Sequence, residues 1–285
     1  MNIRHLIAVF LICWTTACTS GRQQTDAQPI YVSIQPLREL VRSIVGDDFP
    51  VEVLVPPGAS PETFEPTARQ YVDLNRARLI FNVGLIDFET NLLAKIEDQD
   101  KIINLSTGIE LIAGSCSHCR HGHVHAHGVD PHIWTSPKAL QRMAENACAA
   151  IRRVWPDSTK YEANCRRLQE RLQELDRRTG ERIAASGVSY FIIYHPALTY
   201  YARDYGLQQI AIEEEGKEPS ARRIARLIAQ ARRDSVRHLF YQSQFPASSV
   251  EVIASDIGAE AVRINPLRED AIANIEEITD LITAQ

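Results

Sequence analysis

No apolar run in the sequence approaches the roughly eighteen residues that a spanning helix requires, so none is expected. There is also no long basic block: 31 Lys and Arg against 36 Asp and Glu leave a formal net charge of −5. That balance disfavours an electrostatically driven nucleic-acid binder. Cysteine is sparse, 6 in 285 residues, too few for a disulfide scaffold. Neither a His-Glu-x-x-His helix nor a Gly-x-Ser-x-Gly elbow occurs, so two common hydrolase frames are missing. What is present, 45% hydrophobic and 24% charged residues, is close to the globular average and excludes wholesale disorder.

The first residues have the marks of an export signal. Arg4 and His5 precede an apolar stretch from Leu6 to Trp14, and Thr15-Thr16-Ala17 leads to Cys18. A cysteine at that boundary resembles a bacterial lipoprotein signal, although Thr15 replaces the usual aliphatic residue. Acylated Cys18 would begin the mature chain, followed by a polar tether; ordinary cleavage nearby is the alternative. Export then leaves Cys116, Cys119, Cys148 and Cys165. The local pairing is Cys116 with Cys119 and Cys148 with Cys165, with loose thiols or a zinc-binding Cys-Ser-His-Cys as alternatives.

Periodicity predicts strands at 30–34, 51–55 and 79–83 and near Ile102, alternating with helices at 37–45, 67–77 and 88–96. Helices follow at 136–154 and 158–186. The second carries Tyr161, Cys165, Leu168, Leu172, Leu175 and Ile183 as one apolar stripe, and at ~1.5 Å per residue it would run roughly 40 Å. Strands at 190–194, 208–212, 236–241 and 261–264 then alternate with helices beginning near Ala197, Ser220, Ser248 and Asp270. The expectation is an α/β fold: two lobes, each with a mostly parallel sheet flanked by helices, joined by one long helix, with a cleft between. The expected organisation is a signal peptide at 1–17, a tether at 18–29, an N-terminal lobe at 30–157, the linking helix at 158–186 and a C-terminal lobe at 187–285.

Five of the 9 histidines, His118, His121, His123, His125 and His127, fall in the loop 115–127. Neutral imidazoles crowded on one loop suit zinc, copper or nickel, although ordering such a loop costs conformational entropy. His132 and His195 stand apart from that run, each beside a proline. By themselves they read equally as metal ligands or as polar residues bonded to backbone.

Three longer motifs occur in order: Val55-Pro-Pro-Gly-Ala-Ser-Pro-Glu-Thr-Phe-Glu-Pro66, Gly128-Val-Asp-Pro-His-Ile-Trp-Thr-Ser-Pro137 and Tyr194-His-Pro-Ala-Leu-Thr-Tyr-Tyr-Ala-Arg-Asp-Tyr-Gly-Leu207. Together they resemble the metal-specific solute-binding proteins of zinc and manganese ABC importers, known as cluster A-I. The His-rich insertion before the second motif is typical of the zinc-uptake branch. The resemblance implies two α/β lobes on a rigid helix with one metal between them. It places the ligands at Glu62, His132, His195 and Asn265. Glu62 stands where that family usually has histidine, and Asn265 where it usually has aspartate. One negative charge is retained among the four, moved from one lobe to the other. An amide oxygen is a weak donor, so water or a carboxylate from Asp270, Glu213, Glu214 or Glu215 could complete the site.

The resulting expectation is an exported, lipid-anchored, monomeric receptor that captures Zn2+ and delivers it to an ABC importer permease, without turnover. The His-rich loop would gather or sense zinc. A manganese or iron receptor of the same fold is the alternative, favoured by the harder oxygens of Glu62 and Asn265. A zinc-dependent hydrolase with an open coordination position is a more distant one, and a secondary adhesin role is compatible with the fold.

Overall fold

The computed structural model describes residues 28–113, 128–213, 217–245 and 247–284. Cys18, Cys116, Cys119, the five loop histidines, Glu214 and Glu215 lie outside them.

The first sheet comprises β1 (Ile30–Val32), β2 (Val51–Val53), β3 (Leu79–Asn82) and β4 (Ile102–Asn104), all parallel, in the order β2-β1-β3-β4. The second repeats that order with β5 (Tyr190–Ile193), β6 (Gln208–Ala211), β7 (His238–Gln242) and β8 (Glu260–Ile264), as β6-β5-β7-β8. In each sheet the second strand lies outside the first and the third lies inside. The order therefore reverses beside β1 and beside β5, which opens a crevice beyond their carboxyl ends.

Helices α1 (Gln35–Val45), α2 (Ala68–Asn75) and α3 (Asp87–Leu93) connect the first sheet. Helices α6 (Thr199–Asp204), α7 (Ala221–Arg233) and α8 (Ala247–Ile257) connect the second, and α9 (Ala271–Thr283) follows it. Their starts follow local chemistry. Thr67 and Gln70 form a capping box ahead of α2, and Ser220 and Asp270 accept hydrogen bonds from Arg223 N and Ala273 N. Asp270 is thus the cap of α9 rather than a metal ligand. Ser248 is no cap, because α8 has already begun at Ala247.

Between the sheets run α4 (Pro137–Val154) and α5 (Thr159–Ser186). Ser136 caps α4 and Pro137 occupies its first turn, where a missing N–H costs nothing. The apolar stripe of α5 is buried, and a disulfide between Cys148 and Cys165 ties the two helices together. Alternation along β5 divides the second lobe's core. Phe191 and Ile193 join a core shared with the first lobe through α5 and α9, while Ile192 packs under α7 and α8.

Candidate metal centre

Each proposed ligand is set by a short segment at a strand or loop end. Glu62 lies in the loop after β2, where Pro56-Pro57-Gly58 breaks the strand and Gly58 takes φ +84°, a left-handed conformation that glycine tolerates. Pro61 is buried beneath it, and Ser60 Oγ accepts from Glu62 N at 3.3 Å. His132 follows Pro131 and leads into a 3-10 turn at Ile133–Thr135. His195 lies in the bend two residues past the end of β5 and directly precedes Pro196, beside the switch point of the second sheet.

These three side chains meet. Glu62, His132 and His195 each offer one donor atom, all within 4.8 Å of one another. The two imidazole Nε2 atoms are 3.4 Å apart, and Glu62 Oε1 lies 3.1 Å from that of His195 and 3.8 Å from that of His132. Zinc–nitrogen and zinc–oxygen bonds of about 2 Å fit such a spacing. The surrounding cavity, about 40 Å³, suits an ion and a water better than an organic substrate. The histidine side chains are only 11% and 13% exposed, whereas Glu62 is 43% exposed.

Two buried carboxylates aim the imidazoles. Asp130 Oδ1 accepts from His132 Nδ1 at 2.8 Å and from His132 N at 2.9 Å. Glu213 Oε1 accepts from His195 Nδ1 at 2.9 Å. A carboxylate only accepts, so the Nδ1 atoms carry the protons and both Nε2 atoms face the cluster. Such outer carboxylates fix the tautomer and raise ligand basicity. Glu213 Oε1 is thus turned to the Nδ1 side of His195, away from the Nε2 atom that faces the cluster. Gln242 clamps the His195 backbone from β7: its Nε2 donates to His195 O at 2.7 Å, and its Oε1 accepts from His195 N at 3.4 Å. Trp134 flanks His132, and Phe245 stacks on His195 with ring centroids 5.0 Å apart.

The electrostatics are those of a metal-free site. Burial alone would depress the His195 pKa, but hydrogen bonds to Glu213 and Glu62, with their charges, lift it to about 9. Burial likewise pushes Glu62 and Asp130 upward. The bond of Glu62 to His195 and that of Asp130 to His132 outweigh it, so both sit below their ordinary range.

Asn265 lies on the segment whose next two residues line the cluster's pocket. Its Oδ1 accepts from Leu267 N at 3.1 Å, and it lines a neighbouring cavity of about 230 Å³. Sequence reasoning assigned no role to Asp130, Gln242 or Glu89. Asp130 stood inside the quoted second motif, two residues before the histidine it bonds. Glu89 is fully buried and accepts from the amides of Val83, Gly84 and Ile86 at 2.9, 2.7 and 3.3 Å, fixing the turn that brings Ile86 to the pocket wall.

Known proteins resemble this chain over most of its length. A family model described as "Zinc-uptake complex component A periplasmic" matches residues 30–284. The zinc-binding lipoprotein AdcA of Streptococcus pneumoniae is 26% identical over 277 residues, covering 93% of this chain. This chain spans only 54% of that relative's length. The high-affinity zinc uptake system protein ZnuA of Bacillus subtilis is 29% identical over 278 residues, covering 92% of this chain and 86% of the relative. A crystal structure of ZnuA superimposes with a TM-score of 0.81 at 33% identity, covering 91% of this chain and 99% of that one.

Proposed function

The chain belongs to the zinc-uptake complex component A family, and on that premise we propose that it is a receptor that captures Zn2+ and passes it to the permease of an ABC importer. The observation that carries the reading is the convergence of Glu62 Oε1 with the two Nε2 atoms of His132 and His195, each imidazole backed by a buried carboxylate. Two nitrogens and a hard oxygen are a donor set that zinc accepts. In this reading a fourth donor, Asn265 or a water, completes the coordination; the bond of Asn265 Oδ1 to Leu267 N favours water. Binding of this kind needs no turnover.

The receptor works as a monomer on the outer side of the membrane, held by acylated Cys18. In this reading residues 1–17 are the signal, 18–29 the tether, and 30–157 and 187–285 two lobes on the linking helix 158–186. The histidines of 115–127 serve as an auxiliary collecting loop. Among the described residues no helix is long and apolar enough to cross a membrane, so the tether would be the attachment.

Competition of zinc and manganese against a calibrated chelator tests the reading, with the mature chain and its Glu62→Ala and His195→Ala variants. One tight zinc equivalent, lost in both variants, is expected. A tight site retained in both, or absent from the parent chain, overturns the ligand assignment; preference for manganese at equal free metal replaces the cargo.

A further inference from the structure

Helix α7 carries five arginines, Arg222, Arg223, Arg226, Arg232 and Arg233, and no acidic residue, in a chain whose net charge is −5. Its inner face is apolar: Leu227 and Ala231 are buried, and Ile224 and Ile228 pack beside them against the core under β5 and β7. Two of the arginines are engaged, Arg223 with Ala211 O and Arg232 with Asp256. The other three, Arg222, Arg226 and Arg233, are exposed. Helical geometry places them within about 40° of arc, spaced roughly 6 and 10 Å along the axis, with Ala225 and Ala229 between them.

Among the described residues none of these three has an ion-pair partner. Of the acids on this side, Asp234 accepts from the Tyr190 hydroxyl, Asp256 is held by Arg232, and Glu251 on α8 has no ion pair among the described residues. Exposed arginines such as Arg76, Arg152 and Arg171 also have no ion pair among the described residues, but they lie on separate elements, whereas α7 gathers three on one face. Like charges four residues apart, as Arg222 and Arg226 are, repel and cost helix stability. The stripe therefore keeps a conflict that an external anionic surface would relieve.

We infer that the outer face of α7 docks on anionic lipid headgroups at the membrane that carries the receptor. Charge complementarity fits a sheet of phosphates, because the face offers only arginine and alanine. A protein interface would be expected to present a buried aromatic or aliphatic anchor there. The chain outside the structure points the same way: from Cys18 to Ile30 is a tether of at most about 40 Å, so the folded body stays within reach of the bilayer. A lipid anchor is commonly supplemented by such a basic patch. The inference rests on the reading of the chain as an anchored envelope receptor, and its test is built not to depend on the anchor.

The unacylated full chain, Cys18→Ser, would be sedimented with vesicles of phosphatidylcholine with and without phosphatidylglycerol. Binding only to the anionic vesicles, abolished near 0.5 M salt, is expected. The triple variant Arg222→Gln, Arg226→Gln, Arg233→Gln should bind about a hundredfold more weakly, at about fivefold per arginine, while the corresponding lysine variant retains binding. A zinc titration of the same samples should be unchanged, which separates this inference from the metal-site reading and reports that each variant is folded. Equal binding to neutral vesicles, no binding to anionic ones, or an undiminished glutamine variant would overturn it. So would loss of permease capture in the glutamine variant without any lipid binding.

Discussion

Metal-free protein holds a proton on the His195 ring up to about pH 9, because Glu213 and Glu62 both bond to it. If His195 Nε2 is a zinc ligand, as proposed, its lone pair is required and capture releases that proton. The apparent zinc affinity should therefore fall by about tenfold for each pH unit below 9, with close to one proton released per zinc at neutral pH; chelator competition and calorimetry in buffers of different ionisation enthalpy measure the two. The same group gives the metal-free protein a pH-dependent stability. Its folded pKa is raised from an ordinary 6.5 to about 9. Its contribution, at most roughly 3 kcal/mol, is thus complete below the ordinary value and disappears as pH rises through about 9. Denaturant midpoints of metal-free protein should drop across that window, and a flat profile would show that the proton is not held.

Glu213 acts through His195, so Glu213→Gln should weaken zinc binding by about 10- to 100-fold and lower the pH at which affinity saturates. If affinity fell without that displacement, its part would be one of shape alone. The family resemblance, rather than the prolines beside them, singled out His132, His195 and Glu62, and the fold brings their side chains within 4.8 Å of one another. Their partners were harder to read. Glu213 reaches His195 from the end of the neighbouring strand β6, and nothing local distinguishes it from Glu214 and Glu215. Asn265 was placed among the ligands by the family resemblance alone; in the structure its Oδ1 accepts from Leu267 N.

At the level of elements, periodicity served well wherever burial was one-sided. The stripe on α5 was readable because its other faces are charged and solvated, and those charges form pairs such as Arg178 with Glu276 on α9. Strand ends were less legible, since the last strand residue and the first loop residue can be equally apolar; Val236 is buried, yet β7 starts at His238. The pairing of Cys148 with Cys165 depends on two helices in register, Cα atoms 5.9 Å apart across 17 residues of chain. Closing a loop of that size stabilises by about 3 kcal/mol. Reduction should lower the melting temperature by roughly 6–12 °C. It should leave zinc affinity intact, because Cys148 lies about 18 Å along α4 from Ser136 and the metal cluster. A loss of affinity on reduction would instead link α4 to the site.

For the whole molecule, the shared core joins what the sequence reads as two lobes. Trp134 Nε1 donates to Pro266 O at 2.9 Å, Tyr200 Oη donates to Asp130 O at 2.7 Å, and Arg38 pairs with Glu269. Each bond crosses from one sheet's segment to the other's. Unfolding should accordingly be a single transition, with tryptophan fluorescence and far-UV dichroism superimposing. Zinc should leave the radius of gyration from solution scattering unchanged, and a contraction would reveal a hinge that the packed interface argues against.

Of the three atoms that meet at the cluster, two belong to imidazoles walled in by Trp134 and Phe245, and one belongs to a half-open loop. If the frame does not part and the proposed ligands hold the ion, its residence time would be set by how often that loop lets its carboxylate swing toward solvent. A neighbouring macromolecule that drew Glu62 outward would shorten it without deforming either sheet.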